Sequence, residues 1–377
     1  MKVEVFSHRD GRGWSIPAFP ALDGNQTLVL VFGGARKVES LPLDTLVSGY
    51  PHAHVMGCST AGEILGQSIV DDSLAVAICR FDGTPLRSSS KRLESAMDSF
   101  LVGTSIAQEL LAADLRGVFV LSDGTKVNGS ELVRGLNRVL PPEVLVTGGL
   151  AGDGDRFTKT WVLDHGKPTR GCVSAIGFYG DRIVFGHGSK GGWDVFGPER
   201  IVTRSWGNVL FEIDGLSALD LYKRYLGDLA SGLPANALLF PLRLRRKKTD
   251  TRGLVRTILS IDEKVSSMTF AGDIPEGSLV QFMRANPDRL VDGAAEAARS
   301  SRNKQESAQE SLAIAISCVG RRLVLAERAE EEIEAVGGAL PASQLIGFYS
   351  YGELSPCSDE RCDLHNQTMT LTTLSET

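Results

Sequence analysis

The stretch Gly57-Cys-Ser-Thr-Ala-Gly62-Glu63 follows a short apolar run, and Gly347-Phe-Tyr-Ser-Tyr-Gly352-Glu353 does the same near the carboxyl end. Both follow the pattern G-x-x-x-x-G-E. A middle stretch, Gly148-Gly-Leu-Ala-Gly152-Asp153, is one residue shorter and has Asp in place of Glu. We call these stretches the first, third and second glycine loops. A motif that recurs in this way indicates an internal repeat, and a repeat fixes the architecture.

Each glycine loop lies in a similar frame of two apolar runs separated by a helical stretch. The first apolar runs are residues 28–32, 118–121 and 312–317, and the helices are expected near residues 43–50, 129–140 and 322–336. Short β-branched runs favour buried strands, and a 3.6-residue period favours helices packed on a sheet. We therefore predict an α/β fold, with repeated strand-helix-strand units in two intimately packed domains with mixed sheets.

The domain boundaries are predicted from the same pattern. Residues 1–27 are a polar lead-in, residues 28–200 form the N-terminal domain, and residues 201–377 form the C-terminal domain. A chain of 377 residues is too long for one ordinary core, so two domains agree with its length.

The glycine loops have two interpretations. Glycine lets the main chain approach a neighbour or a ligand closely, and a buried carboxylate needs amides, a cation or water around it. The simpler interpretation is a set of strand-end turns closed by side-chain hydrogen bonds. The other is a site whose carboxylates bind an ammonium group and whose amides bind a carboxylate. The candidate ligand-binding residues are Gly57, Ser59, Thr60, Gly62, Glu63, Gly152, Asp153, Tyr351, Gly352 and Glu353.

Composition limits the class of protein. A net charge of -6 and a pI near 5.6 argue against nucleic acid or an anionic membrane as a general partner. No stretch approaches the roughly 20 apolar residues of a membrane span, and the amino terminus has no apolar signal core. We therefore expect a cytoplasmic protein whose cysteines are thiols. Cys357, Cys362 and His365 resemble a metal or redox site, but a fourth nearby ligand is missing.

Several stretches resemble the FIST domain family. Residues 51–64 resemble the signature of its N-terminal domain, residues 148–154 its second conserved turn, and residues 347–356 with 364–370 the end of its C-terminal domain. The resemblance covers nearly the whole chain in the correct order. It implies a sensory module of signal transduction that binds a small ligand, for which amino acids have been proposed.

Two stretches, residues 186–193 and 362–374, resemble those of the FIST proteins that bind heme and sense nitric oxide. This resemblance implies heme as cofactor, nitric oxide as signal, and a histidine kinase or a cyclic-di-GMP synthase or phosphodiesterase as partner. The alternative is a module for an amino-acid-like ligand without heme.

The heme residues are expected in the glycine-rich segment 185–198, which is interpreted as a loop that is either flexible or shaped around a ligand. Heme iron commonly takes an axial histidine in an apolar aromatic pocket. The predicted ligand is His187, with His365 as the alternative. Its predicted companions are Trp193, Phe196 and Phe185 as walls, Asp194 as acceptor for the second ring nitrogen, and Lys190 for a propionate.

Two kinds of chemistry find no support in the sequence. The absence of a C-x-x-C-H motif excludes covalent c-type attachment of heme. The sequence also lacks a nucleophile elbow and a complete metal motif, so we expect a binding protein rather than an enzyme.

Overall fold

The computed structural model of the chain describes residues 1–36, 38, 41–233, 235–250, 253–302, 310–356 and 361–377. It contains three central sheets of related topology and one further sheet. The first has the order β12 (Lys167–Thr169), β11 (Val162–Asp164), β4 (His54–Thr60), β3 (Thr27–Gly34), β7 (Ser73–Arg80), β1 (Lys2–Arg9), β2 (Gly13–Trp14). The second has the order β26 (Cys362–His365), β25 (Gly352–Pro356), β10 (Leu145–Leu150), β9 (Leu115–Ser122), β13 (Cys172–Tyr179), β8 (Leu86–Arg92). The third has the order β6 (Ser68–Val70), β5 (Glu63–Leu65), β24 (Ser343–Ser350), β23 (Ser311–Cys318), β27 (Met369–Glu376), β14 (Ile183–Lys190).

The fourth sheet is formed by the part of the chain between β14 and the helix at Pro287–Ser301, and we call it the inserted sheet. Its order is β19 (Leu254–Arg256), β18 (Leu242–Arg245), β22 (Leu279–Arg284), β15 (Asp194–Trp206), β16 (Val209–Ile213), β21 (Ser267–Phe270), β20 (Ile258–Asp262), with β17 (Leu216–Ser217) paired to β16. It has an apolar core of its own and is tied to the second sheet by the buried Arg256, whose guanidinium donates to the Leu364 carbonyl at 2.9 Å.

The helices lie outside the sheets. They are α1 (Leu43–Gly49), α2 (Ser99–Leu110), α3 (Gly129–Val139), α4 (Ala218–Leu226), α5 (Pro287–Ser301), α6 (Val319–Leu325) and α7 (Ala329–Ala339), with 3-10 turns at Ala96–Asp98, Gly227–Gly232, Ala235–Leu239 and Ala326–Arg328. Among the described residues, no helix is both long and apolar enough to span a membrane.

The predicted repeat and the predicted α/β class are both confirmed. Each central sheet contains a parallel pair, β3–β4, β9–β10 or β23–β24, with a helical segment between the two strands. Each pair is followed by a glycine loop and later by a strand, β7, β13 or β27, that returns antiparallel to the first member of the pair. Glu63 and Glu353 occupy equivalent places at the start of the strand after each glycine loop, as the first residue of β5 and the second residue of β25.

The hairpin after each glycine loop joins a different sheet from the strands before it. After the first loop, β5–β6 joins the third sheet, and after the third loop, β25–β26 joins the second. After the second loop, β11–β12 joins the first sheet. The three repeats therefore exchange strands in a closed cycle. Across the predicted boundary at residue 200, β14 pairs with β27 along its whole length.

The glycine loops themselves meet in a ring of backbone hydrogen bonds. The Ala61 amide donates to the Tyr349 carbonyl at 2.8 Å, the Tyr351 amide to Leu150 at 3.1 Å, and the Gly152 amide to Ser59 at 2.9 Å. The first loop thus binds the third, the third binds the second, and the second binds the first, and the Tyr349 amide also donates to the Gly62 carbonyl of the first loop at 2.9 Å. We call this contact the loop ring.

Steric crowding requires glycine at the first position of each loop. Gly57, Gly148 and Gly347 lie opposite Val31, Val120 and Ala315 in the parallel pairs. A Cβ atom on any of the three glycines would lie under 3.0 Å from the carbonyl oxygen of the residue opposite, a separation that real Cβ atoms do not show. The repeat therefore preserves glycine where two parallel strands approach too closely for a side chain.

The variant Gly347→Ala is expected to be destabilised. Its new methyl would overlap the buried Ala315 carbonyl, and the strands cannot separate without breaking the third sheet. We expect a loss of roughly 3 kcal/mol in the free energy of unfolding, as for an overpacked core, measured by urea unfolding.

The matched control for that variant is Gly338→Ala in α7. A Cβ atom at Gly338 meets no atom within 4 Å, so alanine should leave stability unchanged or raise it by about 0.5–1 kcal/mol. Equal stabilities of the two alanine variants would contradict the steric account of the loop glycines.

Candidate functional site

The acidic side chains after the first and third glycine loops are held in the same way. Glu63 accepts hydrogen bonds from the Thr60 hydroxyl, from the Ser73 amide at 2.9 Å and from the Ser73 hydroxyl at 2.8 Å. Glu353 accepts them from the Ser350 hydroxyl at 2.6 Å, from the Thr368 amide at 3.3 Å and from the Thr368 hydroxyl at 2.8 Å. Each carboxyl group thus clamps its loop to the start of the strand that returns to the sheet.

Asp153 closes the second loop with a different set of donors. It accepts hydrogen bonds from the Thr158 amide at 3.1 Å, the Thr158 hydroxyl at 2.9 Å, the Lys159 amide at 2.9 Å and the Tyr351 hydroxyl of the third loop. Burial acts to raise the pKa of Asp153, but hydrogen bonds from Tyr351, Lys159 and Thr158 outweigh it and hold the pKa below its usual value. The second loop therefore carries a buried, ionised carboxylate.

Burial has the opposite result at the two glutamates. It raises the pKa of Glu63 to about 7 and the pKa of Glu353 to about 8, despite the hydrogen bonds that favour their charged forms. The loop amides are also used, because Ala61 donates within the loop ring and the Gly62 amide donates to the Thr60 hydroxyl at 3.1 Å. These contacts match the strand-end turns of the simpler interpretation. Binding of a ligand by these ten residues stays a prediction.

One cleft opens beside the first glycine loop, at the carboxyl ends of β3 and β4, where open α/β sheets commonly bind ligands. Its volume is about 450 Å³, and all three repeats contribute to it. We call it the arginine cleft, and its charged lining residues are Arg36, Arg156, Arg322, Glu63, Asp71, Asp72 and Asp155.

Arg322 fixes the inner wall of the arginine cleft. Its guanidinium binds the Asp71 carboxylate through two nitrogens at 2.7 and 2.8 Å and donates to the Ala61 carbonyl at 2.6 Å. It occupies the space that a side chain at residue 62 would need, and Gly62 has a φ of +133°. The second glycine of the first loop is therefore required both by its backbone conformation and by the approach of Arg322.

A second cavity, of about 610 Å³, lies between the edge of the third sheet and the inserted sheet. Both predicted axial ligands, His187 and His365, line it, so we call it the histidine cavity. Its other side-chain walls include Ser189, Lys190, Trp193, Val195, Arg243, Val255, Met283, Ser300, Pro356 and Thr368. The two histidines are far apart in the sequence and are brought together by the second and third sheets.

His365 is buried and held by one backbone contact. Its Nε2 lies 3.0 Å from the Ser355 carbonyl oxygen. Because a carbonyl can only accept, Nε2 carries the proton and donates. Burial lowers the pKa of His365, so the imidazole is neutral and its Nδ1 keeps a lone pair. This is the state in which histidine serves as a metal ligand.

The segment around His187 was predicted as a glycine-rich loop, and that prediction is wrong for most of its length. Residues Ile183–Lys190 form β14, and the chain turns at residues 191–193 into β15. Cβ atoms at Gly186 and Gly188 would lie under 3.0 Å from carbonyl oxygens of α5. The glycines therefore let helix α5 lie directly on the strand, and His187, between them, projects an exposed side chain from the other face.

The predicted companions of His187 are placed in different surroundings. Trp193 lines the cavity and donates its indole N–H to the Gln367 carbonyl at 2.8 Å. Lys190 also lines it but is paired with Glu296 at 3.1 Å. Phe196 packs in the core of the inserted sheet against Tyr225, Phe240 and Phe282, Phe185 packs against Phe178, and Asp194 pairs with Arg289 at 2.6 Å.

Sequence reasoning missed the contribution of the inserted sheet to the cavity. Arg243, Val255 and Met283 come from β18, β19 and β22, which are separated from His187 and His365 along the chain. No local motif marks them, because they reach the cavity only when β22 pairs with β15. Arg36, Arg156 and Arg322 of the arginine cleft were also missed, because no local motif marks them.

A buried ionic network lies between the two cavities. Arg321, fully buried, binds Glu332 through Nε at 3.0 Å and Nη2 at 2.8 Å, and it donates to the carbonyls of Gly191 and Leu290. Glu332 also accepts from the Tyr349 hydroxyl at 2.8 Å. Gly191 lines the histidine cavity, and the Tyr349 carbonyl belongs to the loop ring. The network thus connects the histidine cavity to the glycine loops.

None of the cysteines that the structure describes lines either cavity. Cys58, Cys79, Cys172 and Cys318 are buried thiols, and Cys362 is buried as well. Within the described residues, no three His, Cys, Asp or Glu side chains converge as metal ligands. Cys357, part of the cysteine and histidine cluster proposed from the sequence, lies outside the described residues.

Two known domain families match most of the chain. The FIST N domain matches residues 27–216, and the FIST C domain matches residues 218–356. No curated protein matches the chain. Among solved structures, a cyanuric acid hydrolase from A. caulinodans is similar with a TM-score of 0.33 and 8% identity, over 93% of this chain and 89% of that one. That likeness is too weak to carry a conclusion.

The raised pKa values predict a pH dependence of stability. Between the unfolded pKa of each glutamate and its folded pKa of about 7 or 8, the folded state holds a proton that the unfolded chain has released. Their contribution is complete at low pH and is lost as pH rises through 7 to 8. Relative to the Glu63→Gln/Glu353→Gln variant, we expect the wild type to lose on the order of 3 kcal/mol for Glu63 and on the order of 4 kcal/mol for Glu353 from pH 5 to pH 9. Unfolding midpoints that run parallel across this range would contradict the prediction.

Removing the charge of Glu332 should destabilise the fold, because Arg321 would remain buried without a counter-ion. For Glu332→Gln we expect a loss of about 3–5 kcal/mol, as for other broken buried pairs, measured by denaturant unfolding. The neighbouring Glu331→Gln removes an exposed partner of Arg328 and should leave the unfolding midpoint nearly unchanged. A similar effect in both variants would show that burial of the pair is unimportant.

Proposed function

The chain belongs to the FIST family, and from that premise we propose that it is a sensor that binds heme and responds to nitric oxide. FIST domains are sensor modules of signal transduction that bind small ligands. The observation that supports heme binding is that His187 and His365 line the same cavity, with Trp193 beside them.

The residues of the histidine cavity fit a heme group. The cavity offers two imidazoles as ligands, apolar walls at Trp193, Val255 and Met283, and cationic side chains for the propionates. Bound heme would supply an iron centre able to take up nitric oxide. The remaining roles belong to the chain: to hold the ring, to keep water from its faces, and to present one imidazole nitrogen without a proton.

We assign the axial position to His187, with His365 as the alternative. His187 projects from an edge strand with an exposed side chain, so a ligand can reach its ring from the cavity. His365 meets the requirement for a neutral ring whose second nitrogen is held by a carbonyl, but only 7% of its surface is exposed.

The signal would leave the cavity through the strand that carries His187. The turn that follows β14 includes Gly191, whose carbonyl is bound by the buried Arg321. A displacement of this turn changes the contacts of Arg321, Glu332 and Tyr349, which supplies the two states that a sensor needs. We propose a histidine kinase or a cyclic-di-GMP synthase or phosphodiesterase as the partner that reads this change.

The second candidate is an amino-acid-like ligand bound without heme, and the arginine cleft favours it. The cleft carries both guanidinium and carboxylate groups, so it matches the two charges of a zwitterion. In either case the proposal is of a cytoplasmic binding protein rather than an enzyme.

The test of the heme proposal is the absorbance spectrum of the purified protein after hemin is added. We expect a Soret band that shifts when nitric oxide is supplied to the reduced protein. His187→Ala should lose the wild-type ferrous spectrum and weaken hemin binding at least tenfold, because a coordinate bond is lost. The control His165→Ala changes an exposed turn residue outside the cavity and should bind hemin as the wild type does.

Two outcomes would change the proposal. A wild-type protein without a Soret band rejects heme, and saturable binding of an amino acid that Arg322→Gln abolishes would then support the second candidate. A wild-type spectrum in His187→Ala together with its loss in His365→Ala would move the axial assignment to His365.

A further inference from the structure

We propose that Arg243 is the residue of the histidine cavity that binds the ligand's carboxylate, and that this cavity therefore selects flat apolar ligands carrying an acid group. The inference rests on the proposed function of the histidine cavity. Arg243 lies on β18 of the inserted sheet, is half-buried, and lines the cavity. Its guanidinium makes no hydrogen bond or ion pair with any described residue.

Three other basic side chains of the same hairpin and of the cavity wall have partners within the chain. Arg245 binds Glu199 through two nitrogens at 2.7 and 2.6 Å, and Arg246 binds Asp363 at 2.8 Å. Lys190, across the cavity, is paired with Glu296 at 3.1 Å. Arg243 is thus the cation of the cavity wall that the described chain leaves without a counter-ion.

Arg243 is half-buried, so its guanidinium loses part of its hydration and no carboxylate of the described chain replaces it. An anion that enters the cavity would supply this missing counter-ion. The planar guanidinium presents paired N–H donors that match the two oxygens of a carboxylate, which an ammonium group does not. Arg243 is therefore better suited to the ligand's acid group than the predicted Lys190.

The neighbouring strand helps to position Arg243. A Cβ atom at Gly253 would lie 2.7 Å from its Cγ and 2.8 Å from its Nε, so the side chain lies across the space that glycine leaves open. Gly253 itself lines the cavity. The absence of a side chain at residue 253 lets the stem of Arg243 lie flat at the cavity wall.

The other walls define the rest of the ligand. Val255 and Met283 of the inserted sheet and the indole of Trp193 are apolar, and His187 and His365 contribute imidazole rings. A ligand that uses all of these walls has a broad apolar body and an acid group at the end that reaches Arg243. The propionates of heme meet this requirement, and iron-free porphyrin acids meet it as well.

The experiment compares protoporphyrin IX, which contains no iron, with its dimethyl ester, followed by porphyrin fluorescence. The wild type should bind the free acid more tightly than the ester. Arg243→Gln should weaken binding of the free acid about 10- to 100-fold, as for loss of a charge-assisted hydrogen bond, and should leave the ester nearly unaffected. Arg246→Gln, an exposed and paired arginine of the same hairpin, is the matched control and should retain the preference for the acid.

A second measurement shows that the variant is folded. Because Arg243 has no partner in the described chain, its replacement by glutamine should leave the thermal midpoint of the ligand-free protein equal to or above that of the wild type. A lowered midpoint would mean that Arg243 stabilises the fold itself, which contradicts the proposal.

The outcomes separate this inference from the proposed function. A wild-type Soret band with unchanged hemin affinity in Arg243→Gln overturns the role of Arg243 and leaves the heme sensor in place. An Arg243-dependent preference for the porphyrin acid, without a Soret band for hemin, keeps the role of Arg243 and rejects the heme sensor. Loss of the acid preference in Lys190→Gln instead of Arg243→Gln assigns the carboxylate to Lys190. Failure of the wild type to bind either porphyrin overturns the role of Arg243, and failure to give a Soret band with hemin as well overturns both.

Discussion

The loop ring is the constraint on which the rest of the structure depends. Three backbone hydrogen bonds join the glycine loops in a cycle, and the hairpin after each loop joins a sheet different from that of the strands before it. No repeat therefore completes its own sheet. Buried backbone donors and acceptors must be paired, so the loops satisfy one another only when all three repeats are folded. Main-chain hydrogen bonds thus join the three repeats at their centre, and side chains such as Tyr351, which donates to Asp153, add to them.

The first glycine and the last acidic residue of each glycine loop have a role in this packing of the three repeats. The first glycine, as at Gly57 and Gly347, permits close approach of the parallel strands. The glutamate that ends the loop binds the start of the returning strand, at Ser73 in the first repeat and Thr368 in the third. The second loop is one residue shorter than the others and ends in Asp153, whose side chain is shorter than that of glutamate. Tyr351 from the third loop donates a hydrogen bond to Asp153. The variation between repeats is thus compensated by contacts between them.

The sequence predicts the repeat well because its signals are local. Glycine spacing and apolar runs are visible in single stretches, and they place Glu63 and Glu353 in equivalent positions. The exchange of hairpins between sheets leaves no local signal, since it depends on pairing between distant strands. The segment around His187 misleads for another reason. Glycine has low strand propensity, so the pattern favours a loop, but packing of α5 against Gly186 and Gly188 requires glycine within a strand. Arg243 belongs to no motif and is identified only by its missing partner.

The inserted sheet explains why the histidine cavity lies beside the third repeat. In the second repeat, β8 leads through a short turn into α2, whereas the equivalent β14 leads into the inserted sheet before α5 begins. The insertion covers the edge of the third sheet and the hairpin that holds His365, and it adds Arg243, Val255 and Met283 as a wall. Helix α6 contacts both the histidine cavity and the loop ring. Its residue Arg321 binds Gly191 at the cavity, and the neighbouring Arg322 binds Ala61 in the loop ring. The contacts at the cavity and the contacts that join the three repeats therefore lie within one turn of the same helix.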